Sequence, residues 1–190
     1  MKFKAAILEK LNNDLVIDQI EFNQKLSFGQ VLVKIAYSGV CGSQIGEING
    51  IKGKDPFLPH LLGHEGVGEV LEISRGVKNF RVGDRVILHW KPSKGIQSKV
   101  PSYKWGRRKV NAGWVTTFNE MAVVSENRLT KIKDNTDFLD NVLYGCAILT
   151  GYGVVENDAK IKKGENVLVF GAGGIGLNII QAAKLSGAKN

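Results

Sequence analysis

The chain has 190 residues, 43% apolar and 23% charged, which fits one globular domain of ordinary size plus part of a second and excludes a disordered chain. The apolar patch Ala5 to Leu8 is broken by Glu9. It is too short for a secretory core of about 7–15 residues, and no run nears the roughly 18 needed to span a membrane, so a cytoplasmic setting is expected. The formal charge of +8 is unevenly spread, with no acidic residue between Asp84 and Glu120, and a chain cut from a longer protein looks basic if its acidic remainder lies elsewhere.

Short strands separated by turns are expected over the first 130 or so residues. Phe3 to Leu8 and Leu15 to Ile20 read as a pair joined by a turn at Asn12, Asn13 and Asp14. Val31, Val33 and Ile35 alternate with Leu32, Lys34 and Ala36 in a third strand. Gly66 to Ile73 and Arg85 to His89 follow, the second after a Val82-Gly83-Asp84 turn. Thr116 to Val124 and Arg128 to Ile132 close the series.

After Asp134 the period changes. Thr136 is expected to cap a helix at Asp137, with Leu139, Val142, Leu143 and Cys146 near helical spacing. A second helix is expected from Leu149 to about Asn157, and a buried strand over Asn166 to Phe170. An apolar stripe at Leu177, Ile180, Ala183 and Lys184 then marks a third helix. Strand, glycine turn and helix make the first half of a parallel βαβ unit. Its second strand would begin near Asn190, so most of that domain is expected to lie outside these residues. Apolar surface around Ile179, Ile180 and the Val167 strand is then expected to be exposed.

The glycine turn Gly171-Ala172-Gly173-Gly174-Ile175-Gly176 fits G-x-G-x-x-G in the right context. Gly171 permits the tight turn, Gly173 lets backbone approach a pyrophosphate, and Gly176 lets helix and strand pack closely. Phosphates would rest on the unpaired N–H groups of the helix, which points to a dinucleotide in the intact protein. The acidic residue that would hold its ribose falls about 20 residues on, beyond Asn190, so NAD and NADP both stay open.

Cys41, His64-Glu65 and Cys146 form a dispersed set. Two sulfurs and an imidazole are a known catalytic zinc donor set with an open fourth position, and Cys41 sits where a helical turn would favour a thiolate. Each residue alone is read more readily as core filler or a hydrogen-bonded histidine than as a ligand. The surrounding strings decide between these readings. Gly39-Val40-Cys41-Gly42-Ser43, Pro59-His60-Leu61-Leu62-Gly63-His64-Glu65-Gly66-Val67-Gly68, Gly83-Asp84-Arg85-Val86, Gly145-Cys146 and Thr150-Gly151-Tyr152-Gly153 come in order before the glycine turn. Together they closely resemble the zinc-dependent medium-chain alcohol dehydrogenases.

The resemblance implies a mainly β GroES-like barrel domain, here residues 1–140, followed at 141–190 by the first βα unit of a Rossmann domain. It implies catalytic zinc on Cys41, His64 and Cys146, with Glu65 a carboxylate able to approach the metal and Ser43 the hydroxyl that relays the alcohol proton. Thr150 would approach the nicotinamide, and Gly171, Gly173, Gly174, Ile175 and Gly176 would hold the cofactor. The implied reaction is hydride transfer between an alcohol and NAD or NADP by the intact protein, expected as a homo-oligomer. A zinc-free binding or scaffold protein keeping the same fold is the alternative.

Two departures stand out. Most zinc-bearing relatives place an acidic residue after the Ser or Thr, where this chain has Gln44. Many also carry four close cysteines for a structural zinc; this chain has none between Cys41 and Cys146, so one zinc is expected. Lys91 to Trp114 instead carries seven cationic residues interleaved with Tyr103, Trp105 and Trp114 just after Trp90. It is read as a solvated loop with aromatic anchors packing on the barrel; an anionic substrate contact, oligomer contacts and nucleic acid are lesser alternatives.

Overall fold

The computed structural model describes residues 1–133 and 136–190. Its first part contains ten strands. They are β1 (Lys2–Leu8), β2 (Val16–Glu21), β3 (Gln30–Ser38), β4 (His60–Leu61), β5 (Glu65–Ile73), β6 (Arg85–His89), β7 (Ser102–Trp105), β8 (Arg108–Asn111), β9 (Met121–Ser125) and β10 (Leu129–Lys131). Helix α1 (Gly42–Ile48) interrupts them.

The strands make two layers. One is a closed barrel in the order β1-β2-β7-β8-β4, and the other a five-stranded sheet in the order β10-β6-β5-β3-β9. Alternation fills the barrel: Phe3, Ala5 and Ile7 of β1 point inward, against Ile20, Tyr103 and Val110. Phe3 meets Tyr103 edge to face, with ring centroids 5.7 Å apart at 88°, a geometry that adds about 0.5–1.5 kcal/mol beyond burial. The Tyr103 hydroxyl accepts the Val123 N–H at 3.1 Å, tying barrel to sheet. In the sheet Val31, Val33, Val70 and Val86 are fully buried, each stabilising the fold by about 1.5–3 kcal/mol relative to exposure.

The segment from Lys91 to Trp114 packs aromatic anchors on the barrel as expected, but Ser102 to Asn111 is a strand pair where a solvated loop was expected. β7 and β8 pair from Ser102↔Asn111 to Trp105↔Arg108 and complete the barrel. Its aromatics are structural: Tyr103 is core, and the Trp105 indole donates to Asp18 at 2.7 Å. Arg108 lies over Trp105 and pairs with Glu9.

The expected strand over Thr116 to Val124 begins only at Met121. Before it the backbone stitches the two layers together: Thr117 and Phe118 donate to the Leu62 carbonyl, and Ala6 donates to that of Phe118.

The change of period placed after Asp134 falls outside the described residues. Beyond it, Leu139–Gly145 winds as a 3-10 helix. Thr136 does not cap it, because its hydroxyl donates to the Lys133 carbonyl while Asp137 Oδ1 accepts the Leu139 N–H. Next come α2 (Ala147–Gly153), a π-helical turn (Val154–Ala159) and α3 (Gly174–Leu185). Residues 166–170 form no strand. A strand needs a neighbour, and here Val167 N donates only to the Asn190 carbonyl and Lys189 N to that of Glu165.

Val167 and Ile179 pack on Val155, Ala182 and Ala183, while Leu168, Phe170, Leu177, Ile180 and Leu185 stay exposed. The expected exposure is therefore at Ile180 and on Leu168 and Phe170, and Ile179 faces inward. Among the described residues no helix is long and apolar enough to cross a membrane.

Candidate metal and nucleotide site

Cys41, His64 and Cys146 converge from three elements. Cys41 occupies the N-cap position of α1, His64 immediately precedes β5, and Cys146 sits at the break between the 3-10 helix and α2. Their ligand atoms all lie within 4.8 Å of one another. Tetrahedral coordination at a Zn–S distance near 2.3 Å needs sulfurs about 3.8 Å apart, so the cluster is within about 1 Å of that spacing. His64 Nε2 is buried with no hydrogen-bond partner among the described residues. A buried ring nitrogen left without a partner costs on the order of 1–3 kcal/mol, which a metal ion would relieve. The residues fit a divalent cation of the zinc type.

Electrostatics favour the same reading. Burial pushes the Cys146 thiol up to about 11, reinforced by the charges of Cys41 and Glu65 and partly offset by the Thr150 hydroxyl. Burial also lowers the His64 imidazole, against a smaller opposing pull from Glu47. Burial raises the Glu65 carboxyl, partly offset by the N–H groups of Ala147 and Cys146. This pocket therefore resists negative charge on its own, holds its imidazole neutral, and inverts that preference once a cation sits among the sulfurs.

Glycines make the convergence possible. A Cβ on Gly145 would stand 2.3 Å from the Leu88 carbonyl oxygen and 2.6 Å from Glu65 Cβ. One on Gly39 would stand 2.7 Å from the Glu65 carboxylate. These bare positions let Cys146 and Cys41 close around Glu65, whose Oε2 accepts the Ala147 N–H at 3.2 Å.

Gln44 is buried within α1. With its amide oriented to satisfy both groups, its oxygen accepts the N–H groups of Gly63 and, at 3.2 Å, His64. A side chain in this position therefore holds the backbone of the His64 loop, and a neutral amide serves. Sequence reasoning singled out Gln44 only as a departure; its place three residues after Cys41 was the signal that it faces inward.

Ser43 Oγ lies 3.4 Å from Cys41 Sγ and is exposed. Thr150 Oγ1 lies 3.9 Å from Cys146 Sγ. Gly151, next to it, brings α2 against α3: a Cβ there would stand 2.5 Å from Asn178 Cβ.

The glycine turn is a separate feature, capped at Gly173 and opening α3. Gly171 has a φ of +97°, and a Cβ on Gly176 would stand 1.9 Å from the Gly171 carbonyl oxygen. Nothing lies within 4 Å of a Cβ added at Gly171, Gly173 or Gly174. The turn is closed at Gly176 by its own backbone and open at the other three, as a surface for a phosphate requires.

Residues 27–134 match the alcohol dehydrogenase GroES-like domain family, and the chain belongs to it. The S-(hydroxymethyl)glutathione dehydrogenase of Synechocystis sp. is 33% identical over 212 residues, covering 97% of this chain and 56% of the relative. Two solved structures share the fold. Benzyl alcohol dehydrogenase from Acinetobacter calcoaceticus has a TM-score of 0.83 at 25% identity, covering 100% of this chain and 57% of that one. 2R,3R-butanediol dehydrogenase from Bacillus subtilis has a TM-score of 0.74 at 30% identity, covering 98% and 56%. The chain thus spans a little over half the length of the curated relatives it matches.

Proposed function

We propose that the intact protein is a zinc-dependent oxidoreductase that transfers hydride between an alcohol and NAD or NADP, the aldehyde or ketone being the other partner. The observation that carries this reading is the grouping of two sulfurs with an unpartnered, buried imidazole nitrogen. Supporting it are the family match and relatives named as dehydrogenases, one of them of benzyl alcohol.

In this reading Cys41, His64 and Cys146 hold one catalytic zinc, and there is no structural zinc because the lobe after Val86 lacks cysteines. A zinc ion held there would supply Lewis acidity toward the alcohol oxygen, and a bound nicotinamide would supply the hydride chemistry. The Ser43 hydroxyl, beside Cys41, takes the alcohol proton and passes it toward solvent. Glu65 sits behind the ligands as a carboxylate fixed by the Ala147 N–H. Gly151 lets α2 pack against α3; in this reading Thr150 would approach the nicotinamide, and Gly171, Gly173, Gly174, Ile175 and Gly176 at the start of α3 would receive the pyrophosphate.

We assign residues 1–140 to the zinc-binding domain and 141–190 to the start of the nucleotide-binding domain. The family match ending at 134 and the separate apolar cluster of Val155, Ala182 and Ala183 support that division. Free Cys41 and Cys146 accord with a reducing, cytoplasmic setting. Exposed Leu168, Phe170 and Leu185 leave apolar surface for further chain or, in a homo-oligomer, a second copy to cover.

The test is an alcohol screen of the intact protein with NAD and NADP, with and without chelator, alongside Cys146→Ser. Cofactor-dependent oxidation abolished by chelation and by C146S supports the proposal; oxidation indifferent to both refutes it. The 190 residues alone should turn over negligibly, and robust oxidation by them would contradict the assignment of a partial nucleotide site.

A further inference from the structure

A cleft of about 530 Å³ opens beside His64, between α1 and the segment that follows β8. Its charge runs against that of the chain. None of the 26 Lys and Arg residues lines it, whereas Glu47 and Asp55 do. Asp55 is committed, since Oδ2 pairs with His60 Nε2 at 2.8 Å and Oδ1 accepts the Phe57 N–H at 2.8 Å. Glu47 is not: among the described residues its carboxylate takes part in no ion pair. Lys52 and Lys54 line a smaller recess that Glu47 and Asp55 also border, and neither pairs with them.

Aromatic surface completes the cleft. Phe57 is 65% and Trp114 48% exposed, and Arg128 already lies over the Trp114 ring, 5.4 Å from its centroid. A free carboxylate in a recess that Phe57 and Trp114 also line attracts an organic cation and repels an anion. A zinc ion balanced by two thiolates and a neutral imidazole would add no net positive charge to draw an anion back.

We propose that this cleft selects alcohols carrying a cationic ammonium group, with Glu47 as the specificity-determining counter-charge, and turns away alcohols carrying a carboxylate. The inference rests on the reading of His64 as a metal ligand, and it deepens that reading by naming a substrate class. Because the described residues that line the cleft fall between Gln44 and Val115, it is testable on the chain itself.

The experiment loads the chain with cobalt and follows thiolate-to-cobalt absorption while titrating choline, its neutral carbon isostere dimethylbutanol, and gamma-hydroxybutyrate. Choline is expected to perturb the spectrum with a Kd roughly tenfold below that of dimethylbutanol, and gamma-hydroxybutyrate to bind most weakly. Glu47→Gln should bring the choline-to-dimethylbutanol ratio to about one, and Glu47→Asp should keep the preference for choline. Equal binding of choline and dimethylbutanol by the parent chain, a preference for the anion, or a loss in E47Q shared equally by all three alcohols overturns the inference. Absence of the thiolate-to-cobalt band overturns the metal reading itself, a distinct failure.

Discussion

The buried amide of Gln44 is bonded to the backbone of His64, its oxygen accepting that residue's N–H at 3.2 Å together with the N–H of Gly63. A side chain on α1 thus fixes the loop that presents the imidazole, on the helix that Cys41 caps. Gln44→Ala leaves both N–H groups without a partner, at about 1–3 kcal/mol each. Zinc affinity should fall about 10–100-fold, the range typical of losing a group that orients a ligand. Chelator competition and thermal unfolding check both; unchanged values would leave Gln44 without the positioning role.

Gly145, Gly173 and Gly176 separate three uses of a missing side chain. Gly176→Ala drives a Cβ into the Gly171 carbonyl and should cost about 1–3 kcal/mol by distorting the turn. Gly145→Ala pushes against Leu88 and Glu65, so it should displace Cys146 and weaken zinc binding. Gly173→Ala meets nothing in the free protein. Its stability should stay within about 0.5 kcal/mol of the parent while dinucleotide affinity of the intact protein drops. Calorimetric unfolding with zinc and dinucleotide titrations distinguishes the three.

These glycines bear on what the sequence could disclose. β1 was legible because Phe3 and Ala5 alternate with Lys2 and Lys4, and β3, β5 and β6 because they are short apolar, valine-rich runs, Val31, Leu32 and Val33 all being buried. The β7–β8 hairpin was not. Only Tyr103 and Val110 point inward from a stretch otherwise occupied by Lys104, Arg107, Arg108 and Lys109. Residues 166–170 have strand-like composition, but a parallel strand exists only beside its neighbours. The zinc ligand set could be named from its flanking strings. The bond from Gln44 to the His64 loop, and the freedom of the Glu47 carboxylate, depend on where α1 packs and could not be read from spacing.

Like Asp18, Asp55 and Asp84, which are also held below the ordinary carboxylate value, Glu126 contributes to the acid limb of stability. Burial raises its carboxyl, but the N–H donors of Lys78, Asn79 and Ile96 and the Asn79 side chain outweigh that and hold it below the ordinary value. A depressed folded value means its stabilisation is fully present above about pH 4.3 and is lost as the pH falls through the lower folded value. Glu126→Gln faces donors with an amide and should cost about 1–3 kcal/mol at pH 7. The gap to the parent should narrow on acidification below about pH 4. Urea unfolding across pH measures it, and a gap that widens toward acid would contradict the assignment.

Metal uptake should release protons. The Cys146 thiol, at about 11 in the free site, is protonated at pH 7 and must ionise to bind. Zinc affinity should therefore fall as the pH is lowered, with about one proton or more released per ion. Calorimetry in buffers of different ionisation enthalpy reads that number; pH-independent binding without proton release would exclude the thiol.

The most direct test of the central claim is X-ray absorption at the zinc edge of the zinc-loaded chain. Two sulfurs at about 2.3 Å and one imidazole nitrogen at about 2.0–2.1 Å, plus a light fourth ligand, are predicted, with one sulfur lost in Cys146→Ser. A shell of oxygen and nitrogen alone, or a spectrum unchanged in C146S, would contradict the assignment of Cys41, His64 and Cys146 as a metal site.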